Sequence, residues 1–268
     1  MYCFSVLMSV YFKEQAEFLD DALASVLVNQ SLKPTELVLV ADGQLTEELY
    51  STINKYKFIF PNINLIQLPQ NVGLGRALNE GLKHCSYDWV ARMDSDDIST
   101  PDRFEKQFEY IKSHPGIDVL GTSLSEFESN PNIITANKAC PQDIDSYIKF
   151  RCPLNHPTVI YKKNAVLSVG GYIHCPYMED YHLWIRMFSA GYKLTSLKDS
   201  LYLFKMDSNT FQRRGGIQYL KSEYKIQKLL FFHKIISWNR FLLNIVIRCG
   251  ARIIPNSLRA FIYKTFLR

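Results

Sequence analysis

The sequence predicts an α/β fold: a mostly parallel sheet with helices on both faces, followed by basic amphipathic helices at the C-terminal end. Three observations predict it. Apolar runs of strand length alternate with segments of helical period through the first third of the chain. Acidic and amide residues fall at or just after the ends of those runs, on the rim where such sheets bind ligands. Charge is segregated: residues 213–268 hold twelve Lys/Arg against one acid, Glu223, in a 268-residue chain of net charge +5.

Phe4 to Val10 is almost wholly apolar, the pattern of a strand buried on both faces. It reads as a first strand, since it lacks the basic flank and small-residue cleavage site of a signal peptide. Phe18, Leu19, Ala22, Leu23, Val26 and Leu27 then recur at helical spacing. Glu36 to Val40 is a second buried strand, ending at Ala41-Asp42-Gly43, and a helical stretch follows near Leu45–Phe58. Ile63 to Leu68 is a third strand. Asn71 is placed to cap a helix through Leu74, Leu78 and Leu82, and Tyr87 to Arg92 is a fourth strand. Such a βαβ series, with right-handed crossovers, gives a parallel sheet. Tyr11, Asp42, Asn71 and Asp94 then share one rim.

Beyond residue 113 the pattern loosens. Strands are expected at Val119–Phe127 and Ile133–Ala136, a helix at Asp143–Phe150, and a strand after a tight entry at His156–Tyr161. Glu179 to Ala190 reads as a helix with Leu183, Trp184, Met187 and Phe188 on its apolar side, stopped by Gly191, and Lys193–Phe204 as a strand. From Arg213 onward apolar positions are interleaved with lysines. The longest uncharged run there, Phe241 to Ile247, is too short to span a bilayer. Basic and amphipathic together, the segment suits an anionic membrane surface; the alternative is a packing helix with a solvated basic face.

Composition narrows the function. Hydrophobic residues make up 47% and charged residues 21% of the chain, an ordinary globular balance that excludes a disordered chain. Six scattered cysteines form no CxxC pair, which argues against zinc and a disulfide framework and suits a reducing cytosol. No G-x-G-x-x-G follows the first strand and no Walker sequence is present, which disfavours a dinucleotide fold or a P-loop. Nucleic acid is not expected as a partner, because the basic excess is confined to the tail and no nucleic-acid motif accompanies it.

Asp94, Asp96 and Asp97 fall within four residues at the mouth of the fourth strand. Hard cations such as Mg²⁺ and Mn²⁺ take oxygen ligands of this kind. Thr100 and Pro101 just beyond are placed to open a helix. The bland alternative is a solvated, capped loop.

Six segments in order carry a resemblance: Ser5–Tyr11, Val40–Gly43, Asn71–Asn79, Ala91–Asp97, His156-Pro157-Thr158 and Glu179–Trp184. Over roughly residues 4–205 the chain resembles the family 2 glycosyltransferases of the GT-A fold, and among them bacterial enzymes that build O-antigen and other exopolysaccharide repeat units. The resemblance implies an inverting, metal-dependent hexosyltransferase using Mn²⁺ or Mg²⁺. It implies a catalytic unit over 1–212, with a nucleotide-sugar half at about 1–113, an acceptor half at 114–212, and the basic helical tail at 213–268. Asp94 would face the nucleotide sugar and Asp96 the metal. Asp97 would be a second ligand, a water-mediated contact or a helix N-terminal acid, the last two being preferred. Asp42 would contact the nucleoside base, with a turn Asp before Gly43 as the alternative; the acid the family commonly has just before it is Ala41 here. Tyr11 and Asn71 would border the donor, and Arg76 reach its diphosphate or lie on the helix surface.

The same resemblance makes Asp180 the base that deprotonates the acceptor hydroxyl, with Glu179 binding acceptor or orienting Asp180. His156 would touch acceptor or donor phosphates, and Trp184 would stack on a sugar or, as its spacing favours, pack in the core. Gln212-Arg213-Arg214 lacks the Trp of the synthase Q-x-x-R-W box, which argues against processive synthesis; Lys205, Ser208, Arg213 and Arg214 would instead close over the diphosphate. The implied donor is a UDP-sugar, by analogy UDP-galactose giving a β-linkage. The implied acceptor is an undecaprenyl-diphosphate saccharide at the cytoplasmic face of the inner membrane. Two rivals stand: a degenerate saccharide-binding or scaffold module, for which Ala41 is a foothold, and a sugar-phosphate nucleotidylyltransferase. The latter wants a Gly-rich basic loop where this chain has Tyr11-Phe12-Lys13-Glu14. Oligomeric state is not read from the sequence.

Overall fold

The computed structural model describes residues 2–206 and 216–253. Strands β1 (Phe4–Val10), β2 (Glu36–Ala41), β3 (Ile63–Gln67) and β4 (Trp89–Met93) form a parallel half-sheet in the order β3-β2-β1-β4. The chain winds outward from β1 to β3, then returns to the other side of β1 as β4. That reversal opens a crevice at the carboxyl ends of β1 and β4, the place where such sheets bind ligands.

Side-chain alternation in β1 supplies both cores. Phe4, Val6, Met8 and Val10 face helix α1 (Ala16–Leu23), helix α2 (Glu47–Ile59) and the Phe104 and Phe108 side chains of α4 (Arg103–Ser113). Leu7, with Val38 and Val40 of β2, faces α3 (Leu74–His84). The α3–sheet approach depends on Gly81. A Cβ there would lie 2.5 Å from Leu7 Cδ1 and 2.6 Å from Val40 Cγ2, closer than packed carbons tolerate.

The second half-sheet is mixed. β8 (Ile160–Lys162) pairs antiparallel with β4, and β6 (Val119–Phe127) antiparallel with β8. The long β9 (Leu194–Lys205) runs parallel to β6 and antiparallel to the short β5 (Ile98–Ser99), while β7 (Ile134–Lys138) hangs on β6. Helix α7 (Glu179–Ser189) buries Leu183, Trp184 and Met187 against this half. The one-turn α5 (Ile144–Tyr147) and α6 (Lys163–Ser168) are short connectors. Helix α8 (Gly216–Phe232) packs on α7 through Ile185, Ile226 and Leu230, with Ile236 of the following turn joining the cluster, and α9 (Trp238–Ile253) packs on α8.

Several expected boundaries move. Pro101 does not open α4: Ile98-Ser99 first pairs with β9, and the helix starts at Arg103 after Asp102. Thr100 is therefore no cap; its hydroxyl bonds the Asp102 carboxylate and the Leu201 carbonyl. Asp97 lies before β5, so it is not a helix N-terminal acid. Gly73, not Asn71, is the N-cap of α3, in a positive-φ conformation suited to glycine. The helix expected over 143–150 is a single capped turn, with the Asp143 carboxylate accepting from Ser146 N–H at 3.0 Å. His156–Thr158 is a 3₁₀ turn, and the strand begins at Ile160.

Candidate active site

The acidic loop leaves β4 directly. Asp94, Asp96 and Asp97 each offer a carboxylate oxygen within 4.8 Å of the others. Their surroundings are built from distant segments. Arg92 is fully buried and ion-paired to Asp94, and the Asp94 N–H donates to the Tyr202 hydroxyl at 3.2 Å. The Ser95 hydroxyl donates to Glu14 at 2.6 Å. Asp97 is fully buried; one oxygen accepts the Lys205 N–H at 2.7 Å, and the other has no hydrogen bond among the described residues.

Electrostatically this loop is short of positive charge. Burial, then the like charges of Asp94 and Glu14, push the Asp96 carboxyl up to about 7. Burial and both neighbouring aspartates push Asp97 up as well. Burial opposes the charge on Arg92, but Asp94 beside it more than restores it. Three converging carboxylates, one with an unpartnered buried oxygen, are the oxygen donor set that a hard divalent cation takes. The residues present therefore fit Mg²⁺ or Mn²⁺.

Beside the loop, Asp42 holds the entry to α3. Its two carboxylate oxygens accept the N–H groups of Val72 (2.7 Å) and Gly73 (3.0 Å), and Asn71 Nδ2 donates to its carbonyl at 3.3 Å. Gly43 makes this close approach possible: at φ +90° a Cβ would sit 2.8 Å from the Asn71 nitrogen. Asp42 is buried in this structure, and its carboxylate organises a loop. Tyr11 lies half-buried at the end of β1, and Arg76 is exposed on the first turn of α3.

A cavity of about 180 Å³ is lined by Leu74, Gly75, Leu78, His156, Tyr172, Tyr177, Glu179 and Asp180. Glu179 and Asp180 open α7, where the helix N-terminus favours anions. Asp180 Oδ1 accepts the Tyr181 N–H at 2.7 Å and Oδ2 accepts the Cys152 thiol at 3.3 Å. Burial pushes the Asp180 carboxyl upward and Glu179 up to about 7. His156 Nε2 is 2.9 Å from the Tyr172 hydroxyl; burial, with Arg92 nearby, holds its pKa well below the usual range, so the ring is neutral. Arg92 thus bears on both carboxylate groups: its charge is felt at Asp94 and at Asp180.

Trp184 is fully buried and packs edge-on behind His156, with ring centroids 6.3 Å apart. It lies in the core cluster and not in the cavity lining, in keeping with the packing its helical spacing favours. The Lys205 ammonium lies over the Phe18 ring, within electrostatic reach of Asp96, Glu14 and Asp97; Ser208, Gln212, Arg213 and Arg214 lie outside the described residues. Sequence alone gives no site role to Glu14, Arg92, Cys152, Tyr172 or Tyr202. Only Arg92, a charged residue inside an apolar strand, carried a local signal.

A parallel half-sheet with an acidic loop at its reversal point and a second acidic pair on the wall of a cavity is the layout of GT-A nucleotide-sugar transferases. The structure of a fragment of S. aureus TarS in complex with UDP-GlcNAc shares the fold, with a TM-score of 0.70 at 18% identity, covering 100% of this chain and 76% of that one. The chain belongs to glycosyl transferase family 2, whose model matches residues 5–173. It is 38% identical to the E. coli UDP-Gal:alpha-D-GlcNAc-diphosphoundecaprenol beta-1,3-galactosyltransferase, over 99% of this chain and 96% of the relative. It is also 38% identical to the amylovoran biosynthesis glycosyltransferase AmsE of Erwinia amylovora, over 97% and 98%. Glycosyltransferases of this fold generally use a divalent metal. Among the described residues no helix is long and apolar enough to cross a membrane.

Proposed function

We propose that this chain transfers one hexose, with galactose from UDP-galactose as the leading candidate, onto an undecaprenyl-diphosphate-linked saccharide with inversion. The work is placed at the cytoplasmic face of the bacterial inner membrane, in the assembly of a surface polysaccharide. The observation that carries the chemistry is the cavity between α3 and α7, with Asp180 on its wall and Tyr172 in its lining, a side chain within electrostatic reach of both Asp180 and Asp94. The full-length match to a galactosyltransferase acting on a diphosphoundecaprenol acceptor supports the substrates.

Asp94 would face the nucleotide sugar, and Asp96, together with Asp97, would hold the divalent cation. When bound, that cation offsets the negative charge that grows on the departing diphosphate. Tyr11, Asp42, Asn71 and Arg76 border the nucleotide, with Asp42 acting through the loop it clamps. The acceptor hydroxyl enters the cavity and passes its proton to Asp180 as its oxygen attacks the anomeric carbon. The new C–O bond forms on the face opposite the bond to UDP, and UDP leaves with that bond's electron pair. A carboxylate with a raised pKa is a stronger base than an exposed aspartate, which suits this step. Glu179 orients the acceptor. Neutral His156, held by Tyr172, exchanges hydrogen bonds with the sugar without repelling the cation.

The test is UDP release from a panel of UDP-sugars, with a synthetic lipid-diphosphate-GlcNAc acceptor and Mn²⁺. One donor turned over by the native chain, and lost in Asp96→Ala and Asp180→Asn, supports the reading. No turnover with any nucleotide sugar points to the degenerate binding module instead.

A further inference from the structure

The α8–α9 hairpin carries a concentration of outward-facing apolar side chains for which the cores give no account. In α9, Trp238, Leu242, Leu243, Val246 and Ile247 are all exposed. At 100° per residue they fill one half of the helix circumference, while Asn244 and Arg248 lie on the other half. Asn244 donates to the Lys149 carbonyl and to Gln227, and Arg248 pairs with the buried Glu223 at 2.9 Å. Phe241 packs inward beside Asn244 and Arg248, and the outward half, apart from Asn239, presents five large apolar side chains to solvent, against the pattern of a soluble surface helix. In α8, Lys221, Lys225 and Lys228 form an exposed ridge flanked by exposed Tyr224, Phe231 and Phe232. Where the helices join, Phe231, Phe232, Lys234 and Ile235 border an open pocket of about 480 Å³.

We infer that this hairpin face docks on an anionic lipid bilayer, the α9 stripe entering the acyl boundary and the α8 lysines meeting headgroup phosphates. Charge chooses this occupant. Lys221, Lys225, Lys228 and Lys234 of the hairpin are exposed while its acid, Glu223, is buried, and the sequence beyond is basic as well, whereas a second copy would set one lysine-bearing surface against another. Position gives the docking a purpose. Tyr219 of α8 stacks on Tyr177 with centroids 5.9 Å apart, and Tyr177 lines the cavity that holds Asp180. Bilayer contact through the hairpin would bring that cavity to the surface where a lipid-linked acceptor presents its sugar. The inference deepens the substrate reading above and rests on it only for this purpose.

The experiment is flotation of the full chain with phosphatidylcholine vesicles, with and without phosphatidylglycerol, followed in parallel by Trp fluorescence. Native protein should float with the anionic vesicles, bind less as salt rises, and shift its emission to the blue as Trp238 leaves water. Leu242→Ser/Val246→Ser/Ile247→Ser and Lys221→Glu/Lys225→Glu/Lys228→Glu should each weaken vesicle binding about tenfold or more. Both should keep native melting temperatures and unchanged turnover on a short-chain, water-soluble acceptor. Vesicle binding equal to native in either folded variant overturns the inference. So does a dimer in lipid-free buffer that the serine variant dissociates, which would make the face a copy interface. Vesicle binding is read without catalysis, so failure of the transferase reading would leave this result standing, and the reverse.

Discussion

The Cys152 Sγ lies 3.3 Å from Asp180 Oδ2 and equally 3.3 Å from the Leu154 carbonyl oxygen, so its one thiol hydrogen is shared between the carboxylate and that carbonyl. The other carboxylate oxygen is taken by the Tyr181 N–H. The candidate base is therefore held from two sides, by the start of its own helix and by a side chain twenty-eight residues earlier in the chain. A hydrogen bond to the charged form lowers a carboxyl pKa, so Cys152 partly offsets the upward push of burial on Asp180. A base must be ionised, so turnover falls as pH drops through this raised pKa, above the ordinary aspartate value near 3.9. In Cys152→Ala the acid limb of kcat/KM should move to higher pH, by about half to one unit for one lost bond. Cys152→Ser keeps a donor and should restore the limb. Equal shifts in both variants would show that Cys152 only fills space.

Glu179 ties pH to stability. Burial raises its carboxyl from 4.5 to about 7 in the folded chain. Below 4.5 both states are protonated and nothing is lost. As pH rises from 4.5 to 7 the unfolded chain ionises first, and the folded state loses stability, fully so above 7. Glu179→Gln cannot ionise. Its stability relative to native should rise between pH 5 and pH 8, on the order of 1–3 kcal/mol after solvent screening. Urea melts at the two pH values measure this, and a pH-independent difference would contradict it.

Asp42 is read here through the loop it clamps. Asp42→Ala leaves the Val72 and Gly73 N–H groups without their acceptors. It should cost about 1–3 kcal/mol of stability and raise the donor KM more than it lowers kcat. Asp42→Asn keeps one carbonyl acceptor and should fall between. If Asp42→Ala melted like the native chain while losing donor affinity, the residue would act on the nucleotide directly.

The first four strands and their rim were readable because burial on both faces leaves unbroken apolar runs, as in β1 and β2. Val119–Phe127 is a strand over those same residues, although Gly121, Thr122, Ser123, Ser125 and Glu126 interrupt its apolar positions. The acidic loop was readable because three carboxylates so close together need an explanation. Long-range pairing hid the rest. Ile98-Ser99 becomes a strand only because β9 lies beside it, which displaced the start of α4. Glu14 reaches Ser95, and Lys205 reaches Asp97, across 81 and 108 residues. Trp184 showed the opposite case: its helical spacing with Leu183 and Met187 already pointed to the core in which it lies.

Cation dependence separates the roles in the acidic loop. Chelation should abolish turnover, and Mn²⁺ or Mg²⁺ should restore it. Asp96→Ala should require far more cation, with a loss of about 10²-fold or more at ordinary concentrations. Because Asp97 sits behind with one unpartnered oxygen, Asp97→Asn should also weaken cation affinity, read by Mn²⁺ electron paramagnetic resonance without turnover. Native affinity in both variants would move the cation elsewhere.

The most direct test of the account is the configuration of the transferred sugar. An α-configured UDP-sugar should give a β-linked product, read from the anomeric proton coupling in the NMR spectrum of the isolated saccharide. Asp180→Asn should give about 10²–10⁴-fold less of it. An α-linked product would contradict the account, because retention brings the acceptor oxygen in on the face from which UDP leaves, and Asp180 is assigned to the opposite face.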